Sequence, residues 1–439
     1  MDWLRLWLAL FLSGAGIVPE RTPARLEAGV RVPHLSAAGS LLLRAGVKSA
    51  KLCACHLSRI TMEKFIVLIF PVFFLLIGIE FAYGCYKQRN NYRINDALSS
   101  LSQGLISQLV ALLTQIFQIG LYAWAFEKVA VVQASGFWDA WYGWICAVVL
   151  FDFCDYWLHR AGHECAVMWA AHLVHHQSQD FHFATALRQE STVILIGWVF
   201  YLPMAVLGVP PEEFAIAGLI VLLYQFWIHT EHIGKLGWFD RVFSSPSNHR
   251  VHHAVNDQYL DKNYGGMLVI WDRMFGTFAE EEEPCVYGTR SLLNSWDPVW
   301  AIVAEYWTLL RLSWHAENWG DKLRIFYKHP GWRPADIEAK FPSKPFDLDA
   351  ARRYYHPPLT RRAEYLAMAQ FIATMGASAL FLWYSEDFSY GLTLALTVAA
   401  MAGLWALGAY LQGRLSATAM LTIDVAGAAW AIGALQMLR

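Results

Sequence analysis

Residues 141–158 read WYGWICAVVLFDFCDYWL, and residues 159–176, which follow without a break, read HRAGHECAVMWAAHLVHH. The first half is apolar and close to the length of a membrane helix, about 20 residues rising 1.5 Å each to cross about 30 Å of hydrocarbon. The second half holds five histidines. His159 and His163 are four apart, on one face of a helix continuing the apolar run. His172, His175 and His176 then repeat the offsets i, i+3 and i+4. The pair of segments predicts an all-α membrane protein whose helix mouth is lined with imidazole.

The rest of the chain extends this pattern. His249, His252 and His253 in NHRVHH have the same offsets, and His229 and His232 form an i, i+3 pair. Of sixteen histidines, eleven fall between 159 and 253. Imidazoles so crowded would repel when protonated and go unsatisfied when neutral unless they shared a cation. Clusters on facing helices of a bundle are how such sites are built. One divalent ion takes about four to six ligands, so about eight to ten histidines saturate two. The set is His159, His163, His172, His175, His176, His249, His252 and His253. His182 has no helical partner and stays outside it, as does His232. His34, His56, His315, His329 and His356 read as isolated polar residues at boundaries. Two ions held by neutral rings need nearby negative charge. Asp152 and Asp155 share a stripe with His159 and His163, and Glu164 follows directly; on spacing alone these acids serve equally well as helix caps or snorkelling side chains.

Composition agrees with a membrane chain. Of 439 residues 56% are hydrophobic and 16% charged, with a formal net charge of −2, far from the balance of a soluble domain. No basic stripe exists to gather nucleic acid. Seven cysteines, at 53, 55, 85, 146, 154, 165 and 285, are odd in number and too sparse for a disulfide scaffold. The CACH stretch at 53–56 matches no usual zinc spacing.

Residues 1–61 form an extension unlike the rest. WLRLWLALFL is followed by an Arg- and Ala-rich stretch, and Met62 opens MEKFIVLIFPVFFLLIGIEFAYG like a natural amino terminus. A cleaved signal, an organelle transit peptide and a mistaken start all fit this composition, the last being favoured, and little order is expected there. Apolar stretches at 64–84, 105–126, 137–158, 364–383, 387–411 and 417–437 are long enough to span. A further region, 193–228, is split by GVPPEEF; Pro210 and Pro211 break the helix, which predicts a hairpin that enters and returns. Lys87, Arg89, Arg93, Arg160, Arg188, Arg241, Arg250, Arg361 and Arg362 flank these segments, and the positive-inside rule places their loops, with every histidine segment, on the cytoplasmic face.

Other chemistries fail on inspection. A metalloprotease HExxH would need a histidine at 167, where Val167 stands. No serine elbow, phosphate loop or dinucleotide fingerprint is visible. A metal transporter or sensor would carry its histidines within spans at mid-membrane depth, whereas here they lie at or beyond the apolar ends.

The boxes at 159–163, 172–176 and 249–253 resemble those of the fatty acid hydroxylase and sterol desaturase superfamily. HRAGHE, WAAHLVHHQSQDFHFATALRQ, WIHTE, NHRVHH and DKNYGGMLVIWDRMFGTF are most similar to the branch that cleaves ether lipids. The resemblance covers about residues 62–310. It implies a diiron centre held by the eight histidines above with His229 as a further ligand, O2 as co-substrate, and Glu164 as an acid that matters for activity, alongside Asp155 in the candidate catalytic set. Animal members of that branch draw electrons from tetrahydrobiopterin, but no contiguous stretch here marks a pterin pocket.

The expectation is an all-α, multi-pass integral membrane protein with a cytoplasmic helical cap holding a histidine-rich dimetal site. Its parts are the extension 1–61, a catalytic domain 62–310, a connector 311–360 and membrane helices over 361–439. It would sit in a bacterial inner membrane or the endoplasmic reticulum and partner an electron donor. The resemblance implies a monooxygenase that takes a lipid from the bilayer, hydroxylates the carbon beside the ether oxygen of an alkylglycerol and releases fatty aldehyde. The alternatives are hydroxylation or desaturation of a sterol, fatty acyl chain or carotenoid. A small polar head would meet Glu164, Arg188 or Gln189.

Overall fold

The computed structural model describes residues 62–131 and 136–437. The expectations for residues 1–61, CACH and His34 included, lie outside the described residues. Residues 62–72 are the first turns of one helix, and from Phe73 onward the described residues form one compact unit. Among the described residues the only strand-like pairings are two isolated bridges, Phe243 with Leu268 and Ala254 with Tyr287. The main helices are α1 (Met62–Tyr86), α2 (Ile94–Leu113), α3 (Leu121–Val129), α4 (Trp141–Glu164), α5 (Ala166–His176), α6 (Pro211–Trp227), α7 (Pro246–His253), α8 (Pro298–His315), α9 (Trp319–Tyr327), α10 (Arg361–Tyr384), α11 (Tyr390–Leu411) and α12 (Ala417–Met437).

Four helices among the described residues are long and apolar enough to cross a membrane: Lys64–Tyr86, Arg361–Asp387, Tyr390–Leu411 and Ala417–Met437. The other two stretches read as spans take a different form. Over 105–126 the helix ends at Leu113, resumes as a single π turn at Ile116–Gly120 and continues as α3. Thr114, at the break, bonds its hydroxyl back to the Val110 carbonyl (2.9 Å), a competition with the helix ladder that favours such irregularity. Over 137–158 the helix begins only at Trp141, and Asp152 and Asp155 face protein rather than lipid. The 193–228 region is a helical hairpin as read. Gly208 takes a left-handed φ of 80° at the turn, and Pro211 opens α6 at its first position, where a missing N–H costs nothing.

Local signals explain how the histidine segments are held. A single residue, Cys165, separates α4 from α5, so the two run back against each other at Gly162, whose added Cβ would lie 3.4 Å from the His172 side chain. The eight-residue α7 is too short to be stable alone. Ser245 caps it by accepting from the Asn248 N–H (3.4 Å), and Pro246 opens it. Buried Arg250 then binds Glu281 through two bonds of 2.7 Å and the Thr230 and Ile233 carbonyls at 2.9 and 2.8 Å. That ties α7 to the segment leaving the hairpin.

Candidate metal centre

The structure brings all nine histidines of the expected set together, but in two clusters that cut across the sequence boxes. His159, His163, His172, His176 and His252 form one, and His175, His229, His249 and His253 the other; within each, the donor atoms lie within 4.8 Å of one another. Helical geometry explains the partition. Residues i and i+4 share a face, while an adjacent residue is turned by about 100°. His172 and His176 therefore enter the first cluster while His175 enters the second. On α7 the assignment is reversed: His249 and His253 enter the second cluster and His252 the first. The two doublets stitch the clusters side by side, with the His176 and His253 rings stacked 4.3 Å apart. All but His159 are buried.

The rings are oriented by groups behind them. His159 Nδ1 donates to the Tyr264 carbonyl (2.7 Å), His252 Nδ1 to that of Lys262 (3.1 Å), His175 Nδ1 to that of Arg188 (2.9 Å) and His229 Nδ1 to that of Gln225 (2.8 Å). A carbonyl only accepts, so in each ring the proton is on Nδ1 and Nε2 presents a bare lone pair. Burial pulls the His163 and His175 imidazoles down to about 4 and holds His159, His229 and His252 well below their ordinary value. These five rings are neutral near pH 7, the form that binds metal.

His175 and His229 then face each other through Nε2 atoms 3.2 Å apart with no proton between them, and the Nε2 atoms of His159 and His172 lie 3.1 Å apart. His172 donates its own Nδ1 proton to Glu190. Opposed lone pairs at this distance repel unless a cation lies between them. Nitrogens about 2.1 Å from an ion and at right angles are about 3 Å apart. The other contacts, His172 to His176 at 2.9 Å, His252 to His176 at 3.2 Å, His249 to His229 at 3.0 Å and His249 to His253 at 3.2 Å, have the same spacing. The donor set thus fits one metal ion per cluster.

The chain matches the family model described as fatty acid hydroxylase over residues 144–277, a span containing all nine histidines. It is 34% identical over 300 residues to an alkylglycerol monooxygenase of Xenopus tropicalis, covering 68% of this chain and 67% of that protein. The chain belongs to the fatty acid hydroxylase family. An alkylglycerol monooxygenase of Danio rerio is 39% identical over 266 residues, 60% of this chain and 59% of that protein. An ornithine lipid hydroxylase of Rhizobium tropici is 29% identical over 212 residues, 45% of this chain and 61% of that protein. The chain thus matches about three fifths of the length of the Danio rerio relative. No solved structure matches it. With its four helices of spanning length, this member of the family is an integral membrane protein.

The carboxylates singled out in the sequence lie beside the rings rather than on them. Glu164 is half-exposed and accepts from Arg160 Nε (2.9 Å). Asp155 accepts from the Tyr201 hydroxyl (2.8 Å) and Gln225 Nε2 (3.4 Å), and Gln225 in turn offers its carbonyl to His229. Asp152 gathers the Met267 and Leu268 N–H groups and the Trp271 indole at 2.7–3.0 Å, which makes it the anchor of the segment 261–278.

That segment supplies what sequence reading missed. Asp261 lies 3.6 Å from His163 Nδ1 and 3.0 Å from His329 Nε2, and with the Lys262 and Tyr264 carbonyls it backs three of the five rings of the first cluster. Asp261 and Asn263 take left-handed φ values of 57° and 56°, uncommon for residues with a Cβ. Glu190, one residue past the ALRQ stretch, is the other acid on an imidazole. His329, read as an isolated polar residue, reaches the site through Asp261. Arg188 is 2% exposed and fully engaged, with the Val174 carbonyl (2.6 Å), Ser99 (3.1 Å) and Gln177 (2.9 Å), so it clamps α5 and is not free to meet a headgroup. His182 and His232 lie outside both clusters. His182 stacks on Tyr92 at 3.8 Å, and His232 meets Tyr83 edge-on.

Proposed function

We propose that this protein is an O2-dependent diiron monooxygenase of membrane lipids, with one iron in each histidine cluster and an alkylglycerol as substrate. The observation that carries the metal reading is the face-to-face contact of His175 and His229, two neutral rings whose Nδ1 protons are committed to carbonyls and whose bare Nε2 atoms sit 3.2 Å apart. Similarity to alkylglycerol monooxygenases over the histidine segments supports the substrate.

Bound iron would supply, with O2 and a two-electron reductant such as tetrahydrobiopterin, the power to oxidise an unactivated C–H bond. The residues of this chain do the rest. Five imidazoles in one cluster and four in the other leave open positions, since an octahedral ion takes about six ligands. Trp169, against His163 and His176, and Phe181, stacked on His229, wall the clusters with apolar surface, which keeps water from the reacting carbon. The buried Tyr264 hydroxyl, without a protein partner, is placed to donate to a polar atom of the substrate or of a bound water. Insertion of one oxygen atom at the carbon beside the ether oxygen, with the other leaving as water, gives a hemiacetal. Its collapse yields a fatty aldehyde and glycerol. The basic residues that flank the spans support a site on the cytoplasmic side.

The test supplies radiolabelled alkylglycerol and a sterol in parallel to the purified protein, with O2 and tetrahydrobiopterin, ferredoxin or cytochrome as donors. Aldehyde release from the alkylglycerol is expected, together with two irons per chain after anaerobic loading. Oxidation of the sterol alone would overturn the substrate and leave the metal reading standing. One metal per chain, or none, would overturn the dinuclear site. Zinc retained from aerobic purification would not decide the native metal, because zinc binds such sites more tightly than Fe²⁺.

A further inference from the structure

α8 presents large apolar side chains to the outside. Trp300, Val303, Trp307, Leu310 and Trp314 are exposed, spaced three, four, three and four, with exposed Arg311 and His315 beside them near the carboxyl-terminal end. That is one continuous helical stripe. On α9 the exposed Trp319, Leu323 and Tyr327 repeat every fourth residue. Lys322 joins the two helices by donating to the Ser313 and Trp314 carbonyls at 3.0 and 2.9 Å. Trp314 and Trp319, next to this junction, are 81% and 80% exposed. A patch this large needs an occupant.

The position of α8 says which. Its amino-terminal end is fixed to the carboxyl-terminal end of the span α11. There Gly408 lets the chain approach so closely that an added Cβ would lie 2.3 Å from the Trp296 carbonyl oxygen, and the Ser295 hydroxyl reaches Gln412 at 3.3 Å. Gln103 of α2 holds the Pro298 carbonyl at 2.8 Å. The stripe therefore starts where a membrane helix ends. α8 is not among the helices apolar enough to cross, and tryptophan is the residue that favours the headgroup boundary. Arg311 and Arg324 on the same two helices, and Lys328 just after α9, lie exposed, suited to anionic headgroups.

We propose that α8 and α9 lie flat in the bilayer interface, with the tryptophan ridge inserted among lipid acyl chains. The opposite face of α8 packs on the helix that feeds both metal clusters. Leu309, Leu312 and Ala316 meet Ala166 and Ala170 of α5, and the Ala301 carbonyl accepts from Gln177 at 3.0 Å. Inserting the ridge fixes α5 at headgroup depth, where a lipid offers the bond nearest its polar end. The inference rests on membrane residence and not on the identity of the substrate.

The test places the photocrosslinker p-benzoylphenylalanine at Trp307 or Leu323 of the full chain, reconstituted in phosphatidylcholine vesicles containing phosphatidylserine. Leu75, on the exposed face of α1, and Asp349, exposed on the connector, serve as the lipid-facing and water-facing references. Phospholipid adducts at Trp307 and Leu323 comparable in yield to those at Leu75, with none at Asp349, are expected. Adducts to a second copy of the chain, or yields no higher than at Asp349, would overturn it. The aromatic replacement at Trp307 keeps the bulk of the side chain, and retained metal content reports an intact fold.

Discussion

The two histidine clusters share α5 and α7 yet are backed by different chemistry. In the five-histidine cluster, His172 donates to Glu190, His163 lies beside Asp261, and the remaining supports come from the segment 261–264. In the four-histidine cluster the supports are backbone carbonyls, those of Arg188 and Gln225, and His249 Nδ1 is buried without a partner. A carboxylate behind an imidazole raises its basicity more than a neutral carbonyl does. The five-histidine cluster should therefore hold its ion more tightly and lie closer to solvent, through Asp261 and half-exposed His329. The four-histidine cluster, walled by Phe181 and its stacked neighbour Tyr287, is the drier of the two.

The largest effect should come from breaking one cluster outright. His252→Ala removes a donor from the five-histidine cluster and His253→Ala one from the other, although the two residues are adjacent. Each is expected to abolish turnover and to lower bound iron from two toward one per chain. His315→Ala, on an exposed ring bonded only to its own helix at the Arg311 carbonyl, should leave both nearly unchanged. Equal activity of all three variants at equal expression would refute the assignment.

Arg188→Met should damage both clusters together, because α5 feeds both. The change removes a bond from the Val174 carbonyl and takes the guanidinium partner from Ser99 and Gln177, and a buried group left without a partner costs about 1–3 kcal/mol. A fall in melting temperature and a matched loss of both irons are expected in metal analysis. Loss from one cluster alone would mean that Arg188 acts on a ring and not on the helix.

Glu190→Gln separates the clusters instead. Removing a carboxylate behind a metal-ligating ring typically costs about 10–100-fold in affinity. The five-histidine cluster should release its iron at correspondingly lower chelator concentration while the other keeps its own. Asp261→Asn should do the same more weakly, since Asp261 is a quarter exposed and sits at 3.6 Å.

Much of this centre was legible before the structure, for a physical reason. Histidines repeated at i, i+3 and i+4 are a local pattern, and a helix turns local spacing directly into shared direction, which is why eight of them could be named from spacing, with His229 added by the family resemblance. Their partition could not, because the doublets on α5 and α7 divide in opposite senses only once the two helices face each other. Glu190 and Asp261 were missed for a similar reason: each meets its ring across a fold-back, with no fixed offset in the chain. The span at 105–126 looked continuous because hydropathy does not register that Thr114 can compete for the helix ladder. The α8 stripe escaped notice because tryptophans at helical spacing, interleaved with Glu305 and Arg311, average to an ordinary polarity. Asp152 and Asp155 were read as near neighbours of the metals, yet Asp152 spends its oxygens on the loop 267–271.

The smallest effect predicted is also the most discriminating. Tyr264 is fully buried, and its hydroxyl has no partner in the protein. Its ring lies 5.3 Å from that of His163 and 5.9 Å from that of His159. Burial, then the negative charges of Asp261 and Glu164, keep the phenol protonated, so it can only be useful as a neutral donor or acceptor. A buried hydroxyl with nothing to bond costs stability, and replacing it with hydrogen removes that cost. Tyr264→Phe should therefore raise the melting temperature slightly, by the equivalent of about 1 kcal/mol, while leaving iron content at both clusters unchanged. If the hydroxyl serves a ligand during turnover, kcat should fall about tenfold, the equivalent of about 1.4 kcal/mol of transition-state stabilisation. A protein that tolerates an unsatisfied group at rest for the sake of catalysis shows both changes at once. A variant that gains stability at full activity would leave Tyr264 as packing, and would place the functional difference between the clusters in their acids alone.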